Sequence, residues 1–164
     1  MNVLALFGIG AAMSLVSSVV LAKYYLWPRI RMRDQEEALV PLVAPHMFFR
    51  FIGLSLLVPG VVSPSLPAAF AQPAAFGDFG AGILAIIATV ALFKRASWAI
   101  PAVWIFNVCT ADFLFAFFQG PRLLTDVGML RAAFYIPTAI VPPLLVTHAL
   151  IFGLLYQPNQ TKPR

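Results

Sequence analysis

Residues 98–120, WAIPAVWIFNVCTADFLFAFFQG, are long and apolar enough to cross a bilayer, yet they carry Asn107, Thr110 and Asp112 near the middle. Two constraints follow. With no water in the hydrocarbon, backbone polar groups must be satisfied within the segment, so the stretch has to be helical. Each embedded polar side chain must also meet a protein, water or ligand partner. A chain built on such a stretch folds as a membrane bundle with polar groups inside it.

The rest of the sequence agrees. With 61% hydrophobic residues, 10% charged residues and a mean hydropathy of +0.89, it departs from soluble domains, which carry about 25% charged residues. The reading is an all-α, polytopic integral membrane bundle forming a single transmembrane domain over residues 1–164. The formal charge of +5 sits mostly in short loops between apolar runs, so membrane topology explains it better than nucleic acid does. Cys109 is the single cysteine, which excludes an internal disulfide or a CxxC motif.

Five transmembrane helices are expected, at about residues 3–22, 46–62, 78–93, 99–118 and 134–156. No Lys or Arg precedes the first run, which favours an uncleaved span over a secretory leader. Gly10, Ser14 and Ser18 recur at i+4 as a ridge of small residues that lets another helix approach closely. Tyr24, Tyr25 and Trp27 read as an interfacial belt, followed by Arg29, Arg31 and Arg33. Asp34 with Glu37 forms a capping box, and residues 35–44 are either an interfacial helix or the kinked start of the second span. His46, Arg50 and Gly53 share one face of that span, and Gly53 would admit a close neighbour. The proline-rich segment 63–77 reads as an apolar outer loop, with Asp78 capping the third span. Pro142 and Pro143 cannot donate to the carbonyls of Thr138 and Ala139, so the fifth span should kink or break there.

Counting positive charges puts Lys23, Arg29, Arg31, Arg33, Lys94, Arg95, Lys162 and Arg164 on one side and Arg122 and Arg131 on the other. The N-terminus is then outside and the C-terminus cytoplasmic, as in a bacterial inner (plasma) membrane protein. Depth along each span groups the polar residues. Arg50, Asn107 and His148 form an inner layer with His46 at its mouth. Asp112 belongs to an outer layer with Tyr135, Asp78, Gln119 and Arg131.

No HExxH, GxSxG or Gly-rich phosphate loop is present, and only six acidic residues are available, so the pattern leans away from an enzyme. The leading expectation is a pocket between the second, fourth and fifth spans for a small amphiphile, a quinone, lipid or haem. Arg50, Asn107, His148 and His46 would be its polar contacts, with His148 a metal ligand only if haem binds. A second expectation is a proton- or ion-coupled transporter or channel subunit that titrates Asp112 and uses the Thr138 and Ala139 carbonyls. A third is an accessory subunit. Membrane lipids are expected neighbours, and the Gly/Ser ridge of the first span would serve a homo-oligomer or larger complex.

Overall fold

The computed structural model describes residues 2–109, 118–120, 122–124 and 126–156. Among these every regular element is helical, and four helices are long and apolar enough to cross a membrane: α1 (Val3–Ile30), α2 (Gln35–Leu57), α3 (Ala68–Phe93) and α6 (Ile136–Tyr156). Between α3 and α6 lie α4 (Ala99–Cys109) and a short 3-10 helix, α5 (Val127–Phe134). The α4 helix is the first half of the fourth expected span. The second half, with Thr110 and Asp112, lies outside the described residues.

Two boundaries differ from the expected ones. The third helix begins at Ala68 rather than at residue 78, so its N-cap is Pro67 and Asp78 stands in mid-helix. Pro73 sits inside it, removing one backbone bond near the helix start, which an apolar segment in a bundle tolerates. The second helix begins at Gln35 rather than at residue 46. Asp34 caps it by accepting from the Glu37 N–H at 2.9 Å, and a turn at Ala44–Pro45 kinks it without ending it. Residues 35–44 are thus the kinked start of the span, the second of the two alternatives.

Two groups of buried side chains lie at opposite ends of the bundle. One contains Leu39, Leu42, Val43, Ala88, Leu92, Val103, Phe106 and Ile151. There Gln35 Nε2 donates to the Leu154 carbonyl at 2.8 Å, and Arg95 reaches Asp34 at 3.2 Å and Glu37 at 2.6 Å. These contacts place the start of α2, the end of α3 and the end of α6 side by side. Asp34 and then Glu37 raise the pKa of Arg95, which is exposed, so the trio marks a wet end of the molecule. The other group contains Leu56, Val62, Phe70, Ala75, Leu130, Ala133 and Ile136. Backbone bonds from Ser63 N–H to the Met129 carbonyl (2.9 Å) and from Ala132 N–H to the Val61 carbonyl (3.1 Å) close it.

The first helix is the outermost. None of Val3–Leu21 is buried, and it lies against α6. Its small residues set that contact: a Cβ on Gly10 would meet Thr138 Cβ at 3.4 Å, and Ser14 Oγ donates to the Ala139 carbonyl at 3.4 Å. That carbonyl is one of the two that the proline pair deprives of a helical donor. The prolines do not break α6. The five residues Ile136–Ile140 form a widened π-type turn, and a regular α-helix, Val141–Tyr156, follows.

Candidate functional site

The C-terminal part of α2, Arg50–Leu57, is a 3-10 helix. Its side chains repeat every three residues rather than every 3.6, so Arg50, Gly53 and Leu56 fall on one line, and all three are buried. That line faces α3. A Cβ on Gly53 would lie 2.6 Å from Asp78 Cβ, closer than side-chain carbons approach, so glycine is what lets the two helices meet at this level.

At that contact Arg50 Nη1 donates to Asp78 Oδ1 at 2.6 Å. Arg50 is 3% exposed and Asp78 17% exposed. The other guanidinium nitrogen, Nη2, lies 2.9 Å from His148 Nε2 on α6. Arginine can only donate, so Nε2 accepts and the imidazole proton must be on Nδ1. That proton is donated to Asn107 Oδ1 on α4, while Asn107 Nδ2 donates to the His148 backbone carbonyl at 3.4 Å. Asp78, Arg50, His148 and Asn107 are therefore one hydrogen-bonded chain crossing four helices.

His46 lies beside this chain. Thr147 Oγ1 gives its proton to the Leu144 carbonyl at 2.8 Å, so at 2.9 Å His46 Nε2 must donate to Thr147. His46 Nδ1 is then left as a buried acceptor, without a hydrogen-bond partner among the described residues. The His46 ring meets the edges of Phe106 and His148 at 5.0 and 4.5 Å between centroids, and Phe106 stacks on His148 at 5.3 Å.

The structure brings together Arg50, Asn107, His148 and His46, as depth suggested, but changes two details. His46 is fully buried rather than at a mouth. Arg50 is about 22 Å along the helix from Gln35, at 1.5 Å per residue, instead of 6–7 Å from residue 46. Asp78 lies about as far from the Phe93 end of α3, which is why these two pair. The inner and outer layers are thus joined through Arg50. Asp112 lies outside the described residues. Thr138 Oγ1 donates to the Phe134 carbonyl at 2.8 Å, and the Ala139 carbonyl accepts from Ser14.

Sequence reading missed Asp78 as the partner of Arg50 and Thr147 as the partner of His46. For Asp78 the signal was Gly53, a small residue three positions after a buried arginine. For Thr147 none was available beyond its position next to His148. Both ring nitrogens of His148 are engaged, so ligating a haem iron would require it to release Arg50 or Asn107. The set as arranged does not fit that role.

A cavity of about 720 Å³ lies between α1 and the rest of the bundle. Its apolar wall includes Leu4, Phe7, Leu15, Leu56, Phe70, Leu130, Ile136 and Leu145, and Arg50 and Asp78 form its polar point. Asp126 is the third charged residue of the wall among the described residues. Asn107, His148 and His46 stand behind Arg50 and do not line the space.

The family described as "Domain of unknown function (DUF8737)" matches residues 6–156. The chain belongs to this family. The match takes in α2–α6 and nearly all of α1, so the hydrogen-bonded chain and the named cavity wall, Leu4 excepted, lie within the family domain. Among curated proteins and among solved structures no match is found.

Proposed function

We propose that this DUF8737 protein is a non-enzymatic membrane protein that holds a small amphiphile in the cavity beside α1. Its apolar part would lie against Phe7, Leu56, Phe70 and Leu130, and its head group would reach Arg50 and Asp78. The carrying observation is a space of about 720 Å³ with an ion pair, Arg50 and Asp78, in a wall that among the described residues is otherwise apolar except for Asp126. Ligand sites commonly occupy roughly 300–1,000 Å³ and are apolar with a few convergent polar groups. Asn107 and His148 act in this reading as the backing that orients Arg50, and Membrane lipids are the nearest source of such a molecule.

The same reading has five crossings, with the N-terminus outside and the C-terminus cytoplasmic. Its support is parity. Arg95 joins the end of α3 to the start of α2, so α4 starts at that wet end, whereas α6 starts in the opposite core group with Ile136. In this reading the fifth crossing falls between them. Lys23, Arg29, Arg31, Arg33, Lys94 and Arg95 gather toward the wet end, which the positive-inside rule assigns to the cytoplasmic face of a plasma membrane. The Gly/Ser ridge of α1 is engaged with α6 of its own chain, so a homo-oligomer or larger complex would use the exposed face carrying Leu6, Met13 and Val20.

The test is to block the space. Ala74 lines the cavity, and Ala74→Trp should fill part of it. Organic extracts of the purified wild-type protein, analysed by mass spectrometry, should contain a stoichiometric amphiphile that the variant lacks by at least tenfold. Equal content in both, with the variant's melting temperature unchanged, would refute the pocket.

A further inference from the structure

The end of α1 carries a surface that the cavity does not use, and we propose that it binds the head groups of anionic phospholipids in the adjacent leaflet. The apolar run of α1 ends at Ala22, and Val3–Ala22 already rises about 30 Å, the thickness of the hydrocarbon. The helix nevertheless continues to Ile30, which is buried in the same group as Leu39 and Leu92 at the wet end. Its last turns therefore stand at head-group level. Lys23, Arg29, Arg31 and Arg33 are all exposed there, and none makes an ion pair among the described residues. The nearby carboxylates do not neutralise them. Asp34 and Glu37 are engaged by Arg95, and Glu36 faces the further cation Lys94, so the face stays positive.

Two features select a lipid head group over a soluble anion. The cations alternate with exposed apolar and aromatic side chains, Tyr24, Tyr25 and Met32, which suit the membrane interface and would gain nothing from a purely aqueous face. The second feature is that Arg29 is held in place. Its guanidinium carbon lies 3.6 Å from the centroid of the Tyr25 ring, and its Nη1 donates to the Tyr25 carbonyl at 2.7 Å. The Nε and Nη2 donors have no hydrogen-bond partner among the described residues, and together they form the planar edge that matches two oxygens of a phosphate. A side chain already fixed on a ring loses little further freedom when a phosphate binds. Lys23 is seated similarly, with Nζ 5.3 Å from the centroid of the Tyr24 ring.

The experiment titrates the delipidated full chain in detergent with phosphatidylglycerol or with phosphatidylcholine of the same acyl chains, and resolves bound lipid by native mass spectrometry. The wild-type protein should prefer phosphatidylglycerol by at least tenfold. Arg29→Gln should cut that preference by about fivefold, the usual worth of one cation at a membrane surface. The triple variant Arg29→Gln, Arg31→Gln, Arg33→Gln should abolish it. Arg122→Gln, an exposed cation of the segment between α4 and α5, should leave it unchanged. Equal binding of the two lipids by the wild-type protein would overturn the proposal, as would a triple variant that keeps the preference. Should the triple variant fail to fold, the wild-type protein still decides: the preference should fall steeply between about 50 and 500 mM salt, and a preference indifferent to salt would overturn the assignment to these exposed cations.

Discussion

Replacement of Arg50 by methionine will lower the apparent melting temperature of the detergent-solubilised protein by about 10 °C, the equivalent of roughly 3–5 kcal/mol. Methionine keeps the apolar stem and removes the guanidinium. Asp78 then loses the cation 2.6 Å away and His148 Nε2 loses its donor, both in an environment with little water to replace them. Most of the effect is the penalty on what is left behind. The double variant Arg50→Met, Asp78→Leu should therefore recover at least half of the lost stability, because it also removes the carboxyl that has lost this cation. Losses that simply add would show that the two side chains act independently.

The second large effect is expected from a single methyl group. Gly53→Ala puts a carbon 2.6 Å from Asp78 Cβ, with the Asp78 carboxylate closer still, so α2 and α3 must separate. Overpacking alone costs about 1–3 kcal/mol, and here the displaced group belongs to a buried ion pair. The controls are Gly8→Ala and Gly153→Ala, where an added Cβ has nothing within 4 Å. In a helix those changes should be neutral or slightly stabilising, since alanine is the better helix former. A melting temperature for Gly53→Ala matching the controls would contradict the close approach of α2 and α3.

These two residues also show how far the sequence could be read. Gly53 was recognisable as a point of close approach because a glycine on the face of a buried arginine has few other uses in an apolar helix. Arg50, Asn107 and His148 could be grouped because depth in a bilayer restricts which polar side chains meet. Asp78 could not be joined to them. Pro64, Pro67 and Pro73 resemble loop residues, so local rules start α3 ten residues late and make Asp78 its cap. In a bilayer the bundle keeps a residue such as Pro73 helical, since unsatisfied backbone there costs more than the helix-breaking side chain does.

A similar override governs the proline pair. Local rules predict a kink or break at Pro142–Pro143, whereas the π-type turn at Ile136–Ile140 absorbs the mismatch and Ser14 takes up the Ala139 carbonyl from another helix. The 3-10 geometry of Arg50–Leu57 was equally out of reach. Nothing in RFIGLSLL distinguishes a three-residue period from an α-helical one until α3 packs on it.

A binding site beside α1 is tested most directly by where a bound chain lies. An alkanol carrying a tail diazirine, photolysed in nanodiscs with the wild-type protein and mapped by peptide mass spectrometry, should label residues of the cavity wall, Leu56, Phe70 and Leu130 foremost. An excess of unlabelled alkanol should remove that labelling. Label confined to outward-facing side chains such as Phe48, Phe93 and Ile105, and insensitive to competitor, would contradict the cavity as a binding site.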